Sequence, residues 1–183
     1  MSKRNYNLKS LALCSVLVGL AAALGMVKLF HLPYGGSITL LSMLACTLCG
    51  YYFGLAKGLT SGLALGLLNL VLGGYVVHPI QLILDYFLAF TALGLSGLTY
   101  KFNRGLIPGY IIGVASRFVC SFLSGYIFFA EYAPDGMNPV IYSFIYNFMT
   151  MGLEAVITVI ILSIPAVNKF FVKTKSQFNQ DNC

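Results

Sequence analysis

Charge is what this chain has least of: 9% of its residues are Asp, Glu, Lys or Arg, against 58% hydrophobic. With a mean hydropathy of +0.85, that scarcity excludes a soluble globular domain, whose composition is about one-quarter charged. Tryptophan is absent, so aromatic recognition falls to tyrosine and phenylalanine. The sequence has no G-x-x-x-x-G-K-[ST] loop, which removes ATP hydrolysis at such a site, and no H-E-x-x-H or G-x-S-x-G. Its two histidines, His31 and His78, sit near helix ends and are poorly placed to ligate haem. Cysteines number five, and Cys46-Thr-Leu-Cys49 has metal-site spacing without a second ligand pair. Thiols in such an apolar run pack as small hydrophobic groups. The chain therefore reads as neither an enzyme nor a metalloprotein, and no cofactor is expected of it.

What the sequence does have is apolar length. Runs at about 10–30, 38–55, 57–73, 79–99, 107–129 and 139–165 approach the roughly 20 helical residues that cross a bilayer core. They predict an all-α integral membrane protein, one six-helix domain over residues 1–183. Lys3, Arg4, Lys9, Lys57, Lys101, Arg104, Lys169, Lys173 and Lys175 share one side if both termini are cytoplasmic, as the positive-inside bias requires. Lys28, His31, His78, Glu131 and Asp135 then fall on the other side. The net charge of +6 follows from this topology and from contact with anionic lipid headgroups, and it gives no soluble face for nucleic acid. The first run resembles a signal peptide but reads as a retained span.

Small residues mark where helices meet. Gly54, Gly58, Gly62 and Gly66 form a stripe along the third run that predicts close internal packing. Gly109, Gly113, Arg117, Ser121 and Gly125 form a second stripe on the fifth. Ser15, Gly19 and Ala23 form a third on the first run. That face either packs internally or docks another membrane subunit, and the residues leave both open.

The ionisable residues deep in apolar runs are Asp85, Arg117 and Glu154. Charges at such depth are costly and by default functional. Arg117 and Glu154 each lie about 15 Å from the same boundary by helical rise. They are therefore expected to form a structural ion pair. Asp85 has no such partner. It follows Pro79, the natural first residue of its helix, by about 9 Å. Asn147, Ser121 and Ser124 fall in the same half of the bundle, with Tyr75, Tyr86, Phe129, Tyr142 and Tyr146 around them. A carboxylate, an amide and several rings about one outward-facing cavity suit a small, flat, cationic or polar ligand.

Gly35-Gly36-Ser37, Lys57-Gly-Leu-Thr-Ser-Gly62, His78-Pro-Ile-Gln-Leu-Ile-Leu-Asp85-Tyr86 and Tyr142-Ser-Phe-Ile-Tyr-Asn147 resemble the bacterial thiamine transporter family. Its members are substrate-binding S components of energy-coupling factor (ECF) importers. The resemblance implies a cell-membrane protein that captures thiamine from outside and joins a transmembrane coupling subunit and two ATPase subunits, which alone use ATP. It places Asp85 at the thiamine cation, Tyr86, Tyr142 and Asn147 around it, and Tyr75 at the mouth. The loop around Tyr34–Ser37 becomes part of a lid, and Ser15, Gly19 and Ala23 become a docking face. Two positions depart from the family's pattern: Ser121 stands where a histidine is frequent, and Phe129 where a stacking tryptophan is. These departures leave open an S component for a thiamine precursor or related cationic heterocycle. A third reading, a stand-alone ion-coupled transporter with Asp85 as its proton or sodium site, lacks the internal repeat such folds often show.

Overall fold

The computed structural model describes residues 3–31, 37–39, 41–102, 104–134 and 136–180. The apolar runs become helices, because a backbone in hydrocarbon must satisfy its own hydrogen bonds. In chain order these are α1 (Lys3–Met26), α2 (Ser42–Phe53), α3 (Leu55–Val71), α4 (Pro79–Thr99), α5 (Leu106–Phe128), α6 (Pro139–Ser163) and α7 (Pro165–Gln180). Four of them hold segments long and apolar enough to cross a membrane: Leu8–Met26, Pro79–Thr99, Leu106–Phe128 and Pro139–Ser163. The chain is a multi-pass membrane protein.

The second and third runs depart from expectation. The run read as 38–55 folds as a helix of 12 residues and the third as one of 17. At 1.5 Å per residue, α2 covers about 18 Å, short of a bilayer core of about 30 Å. Its side chains are instead buried from Met43 to Tyr52, as befits a helix that is apolar on every side. The chain is also not wholly helical. Lys28–His31 (β1) and Ser37–Thr39 (β2) pair antiparallel, Phe30 opposite Ile38, between α1 and α2. Alternation in these few residues is too brief to announce a hairpin. Of the proposed lid, Tyr34, Gly35 and Gly36 lie outside the described residues, as does Asp135.

Glycine decides how closely the helices approach. A Cβ on Gly58 would come within 2.5 Å of the Gly94 carbonyl, on Gly62 within 2.3 Å of that of Phe90, and on Gly66 within 1.9 Å of that of Tyr86. The α3 stripe is thus pressed against α4, as its spacing predicts. A Cβ on Gly113 would come within 2.7 Å of the Leu93 carbonyl, and one on Gly125 within 2.3 Å of Ser143 Oγ. The α5 stripe therefore faces α4 at one end and α6 at the other. The face of Ser15, Gly19 and Ala23 is exposed, and a Cβ on Gly19 would meet nothing within 4 Å. Internal packing, one of the two roles left open for it, is not what it does.

The basic tail after α6 is itself a helix. Ile164 leaves the helical region and Pro165 begins α7, a boundary the proline favours. Lys175, only 6% exposed, turns inward and donates to the carbonyls of Tyr100 and Phe102. Its ammonium also lies over the rings of Tyr51 at 4.1 Å and Tyr100 at 5.1 Å. Burial draws its pKa down to about 8. Phe178 packs beside it on Phe53 and Tyr52, with centroids 5.4 and 5.8 Å apart.

Candidate ligand-binding site

The two helices that carry the predicted site begin alike. His78 Nδ1 accepts from Ile80 N at 3.2 Å ahead of Pro79, and Asn138 Oδ1 accepts from Val140 N at 2.8 Å ahead of Pro139. Each start is a side-chain cap followed by proline at the first helical position. Both helices then leave α geometry near the site. Ile83–Leu88 of α4 and Phe148–Gly152 of α6 are π-helical. Such wide turns are rare, and they occur frequently at functional sites. Asp85 and Tyr86 lie within the first, and Asn147 immediately precedes the second.

Between α3, α4, α5, α6 and the β2–α2 stretch is a cavity of about 610 Å³. Every predicted ligand residue lines it: Asp85, Tyr86, Asn147, Tyr142, Tyr75, Ser121 and Phe129. The Asp85 carboxylate is oriented by two neutral donors. Gln81 Nε2 reaches Oδ2 at 2.7 Å and Ser124 Oγ reaches the same oxygen at 2.9 Å. Oδ1 has no donor, and the carboxylate no cationic partner within 4.0 Å, among the described residues. Gln81, 1% exposed, is fixed in turn by Val77 N at 3.2 Å and the Tyr75 carbonyl at 3.3 Å.

The rings are tied together at one end. Tyr75 and Tyr132 hydroxyls meet at 2.9 Å, and Tyr75 N donates to the Tyr86 hydroxyl at 2.8 Å. Phe129 lies between, its centroid 6.4 Å from Tyr75 and 5.8 Å from Tyr132. Tyr142 and Tyr146 form a second pair at 6.1 Å. Asn147 spends its amide donors on the Ser143 carbonyl at 2.9 Å and on Ser121 O and Ser143 Oγ, both at 3.4 Å. Its oxygen is left as an acceptor among the described residues.

The expected Arg117–Glu154 ion pair is not formed. No contact within 4.0 Å joins them. The Glu154 carboxylate accepts from Thr39 Oγ1, from Ser42 Oγ at 3.2 Å and from Met43 N at 3.1 Å. The Arg117 guanidinium lies 4.1 Å over the Phe90 ring, with its buried Nε unpartnered. Helical rise placed both residues at one depth, and both do line the cavity, but the hairpin brings better donors to Glu154. Ser37, Thr39, Ser42, Asn69, Tyr132 and Thr150 also line it. Periodicity could not find the first three, because no pattern foretold the hairpin.

Known proteins give this arrangement its family. The sequence model of the family described as thiamine transporter protein matches residues 11–173. Thiamine transporter ThiT of Bacillus subtilis (strain 168) is 33% identical over 145 residues, which cover 72% of this chain and 75% of that protein. Thiamine transporter ThiT of Lacticaseibacillus paracasei is 34% identical over 128 residues, 61% of this chain and 64% of that one. The solved structure of ThiT from Listeria monocytogenes is similar with a TM-score of 0.78 at 25% identity, covering 94% of this chain and 97% of that chain. These relatives are named as transporters rather than enzymes. With a family match over residues 11–173 that reaches all four of the helical segments long and apolar enough to cross a membrane among the described residues, this chain belongs to the thiamine transporter protein family.

Proposed function

We propose that this protein is the thiamine-binding S component of an ECF importer. It captures thiamine from outside the bacterial cell and hands it to a coupling subunit driven by two ATPase subunits. The observation that carries the reading is Asp85 Oδ1, a carboxylate oxygen without a protein donor among the described residues, in a ring-lined cavity. Among the described residues, the charged side chains lining that cavity are Asp85, Glu154 and Arg117, which leave a net charge of −1 when all are ionised. One positive charge on the ligand brings the balance to zero, and thiamine carries one on its thiazolium ring. Asp85 faces that ring, Phe129, Tyr75, Tyr86 and Tyr142 supply stacking surfaces, and Asn147 Oδ1 accepts from the aminopyrimidine. Ser121, whose carbonyl meets the Asn147 amide, offers a further hydroxyl to the ligand.

In this reading both termini are cytoplasmic, six helices form one binding domain, and the Tyr75–Tyr132 end of the cavity faces outward. The exposed face of Ser15, Gly19 and Ala23 supports docking to the coupling subunit. The test is the small molecule that co-purifies with the protein, identified by mass spectrometry and confirmed by titration with thiamine and its pyrimidine and thiazole halves. Stoichiometric thiamine, with each half binding far more weakly, is the expected result. Tight binding of one half alone would assign the site to a precursor. Uptake by this chain alone, driven by an ion gradient in vesicles, would overturn the S-component role.

A further inference from the structure

Helix α2 begins without a cap of its own. The residue at its N-cap is Leu41, with φ 53 and ψ 20 and no side-chain acceptor. A left-handed conformation is unfavourable for a residue with a Cβ, and the first N–H groups of a helix need acceptors. The acceptor comes from another helix. Glu154 of α6, 3% exposed, takes the Met43 N–H and the hydroxyls of Ser42 and Thr39, the donors lying at the end of β2 and the start of α2. A negative charge at that place also suits the positive end of the helix dipole. Ser37, Thr39, Ser42 and Met43 are a wall of the cavity.

We infer that Glu154 is a positioning residue: it caps α2 from across the bundle, holds Leu41 in its strained conformation, and so keeps the β2–α2 stretch closed as a cavity wall. Without the Glu154 side chain three donors lose their acceptor, without its charge at least one does, and Leu41 is held less firmly. The wall then loosens while Asp85, held by Gln81 and Ser124 on the far side, stays in place. The consequence for retention rests on the thiamine reading; the consequence for the wall does not.

The experiment measures backbone hydrogen exchange over residues 37–45 in ligand-free protein, together with thiamine association and dissociation rates. Glu154→Gln keeps one acceptor oxygen and the side-chain size. It should speed exchange in this stretch and thiamine dissociation about tenfold, the effect of one lost hydrogen bond to a charged group, with association changed less than about twofold. Leu41→Gly in the same background removes the strain and should restore part of the protection. Thr39→Val with Ser42→Ala removes donors from the other side and should match Glu154→Gln, which covers the case of a poorly folding Glu154 variant. Unchanged exchange at 37–45 in both backgrounds overturns the inference even if thiamine binds. Exchange raised evenly along the whole chain overturns it too, because that marks general destabilisation. Failure of the wild type to bind thiamine would sink the proposed function and leave the exchange result standing.

Discussion

Asp85 shows what a single residue can disclose. A carboxylate in an apolar helix has few fates: pairing, neutralisation or waiting for a ligand. Here Oδ2 alone meets Gln81 and Ser124, and the carboxylate meets no cation within 4.0 Å among the described residues. Asp85→Asn keeps an acceptor for both donors, so the fold should survive. Removing the charge from a desolvated pair costs about 3 kcal/mol, so thiamine affinity should fall about 100-fold by titration calorimetry. Asp85 and Asn147 were legible in the sequence because polar groups in apolar runs stand out. The partner of Glu154 was not. Equal depth suggested Arg117, but depth is one coordinate, and which neighbour supplies the donors depends on a hairpin with no periodic signature.

Helices were legible in proportion to their length. The runs that became α1, α4, α5 and α6 were long enough that hydrophobicity alone fixed them, and the spacing of Gly58, Gly62 and Gly66 foretold close internal packing, though not that α4 is the partner. What hydrophobicity cannot register is a change of helical pitch, so both π segments went unseen. The glycine contacts yield a paired prediction. Gly66→Ala drives a Cβ into the Tyr86 carbonyl, placed 1.9 Å away. It should lower stability by about 2–3 kcal/mol, in the range for overpacking, in thermal unfolding of detergent-solubilised protein. Gly19→Ala, with nothing within 4 Å, should not lower stability in the same assay and should raise it by up to about 1 kcal/mol, the helix preference of alanine over glycine.

Helix α7 yields another element-scale prediction. Lys175→Met strips the ammonium from the carbonyls of Tyr100 and Phe102. It should cost about 2 kcal/mol, typical of a hydrogen bond to a charged group, and speed proteolysis within residues 165–180. The pH dependence has a definite sign. The docked Lys175 has its pKa drawn down to about 8 from an ordinary 10.5, so the undocked state holds more protons between those values. Docking should therefore strengthen as pH rises from about 8 to about 10.5 and be level below about 8. Proteolysis of α7 at fixed protease activity across that range reads it.

At the scale of the whole molecule, the cavity and the proposed docking face are different surfaces. The cavity lies among α3, α4, α5, α6 and the β2–α2 stretch, whereas the small-residue face of α1 looks away from the bundle. Gly19→Leu should then leave thiamine binding intact while abolishing association with the coupling subunit, measured by co-purification. A variant that lost both would tie the α1 face to the cavity.

The central claim is that an unpaired carboxylate selects a ligand by its single positive charge. The most direct test is the ratio of dissociation constants for thiamine and for an isostere whose thiazolium is replaced by a neutral ring, titrated into the purified protein. About 100-fold tighter binding of the cation is the predicted result, from a charge contribution of about 3 kcal/mol. Equal affinity for the two would contradict the account.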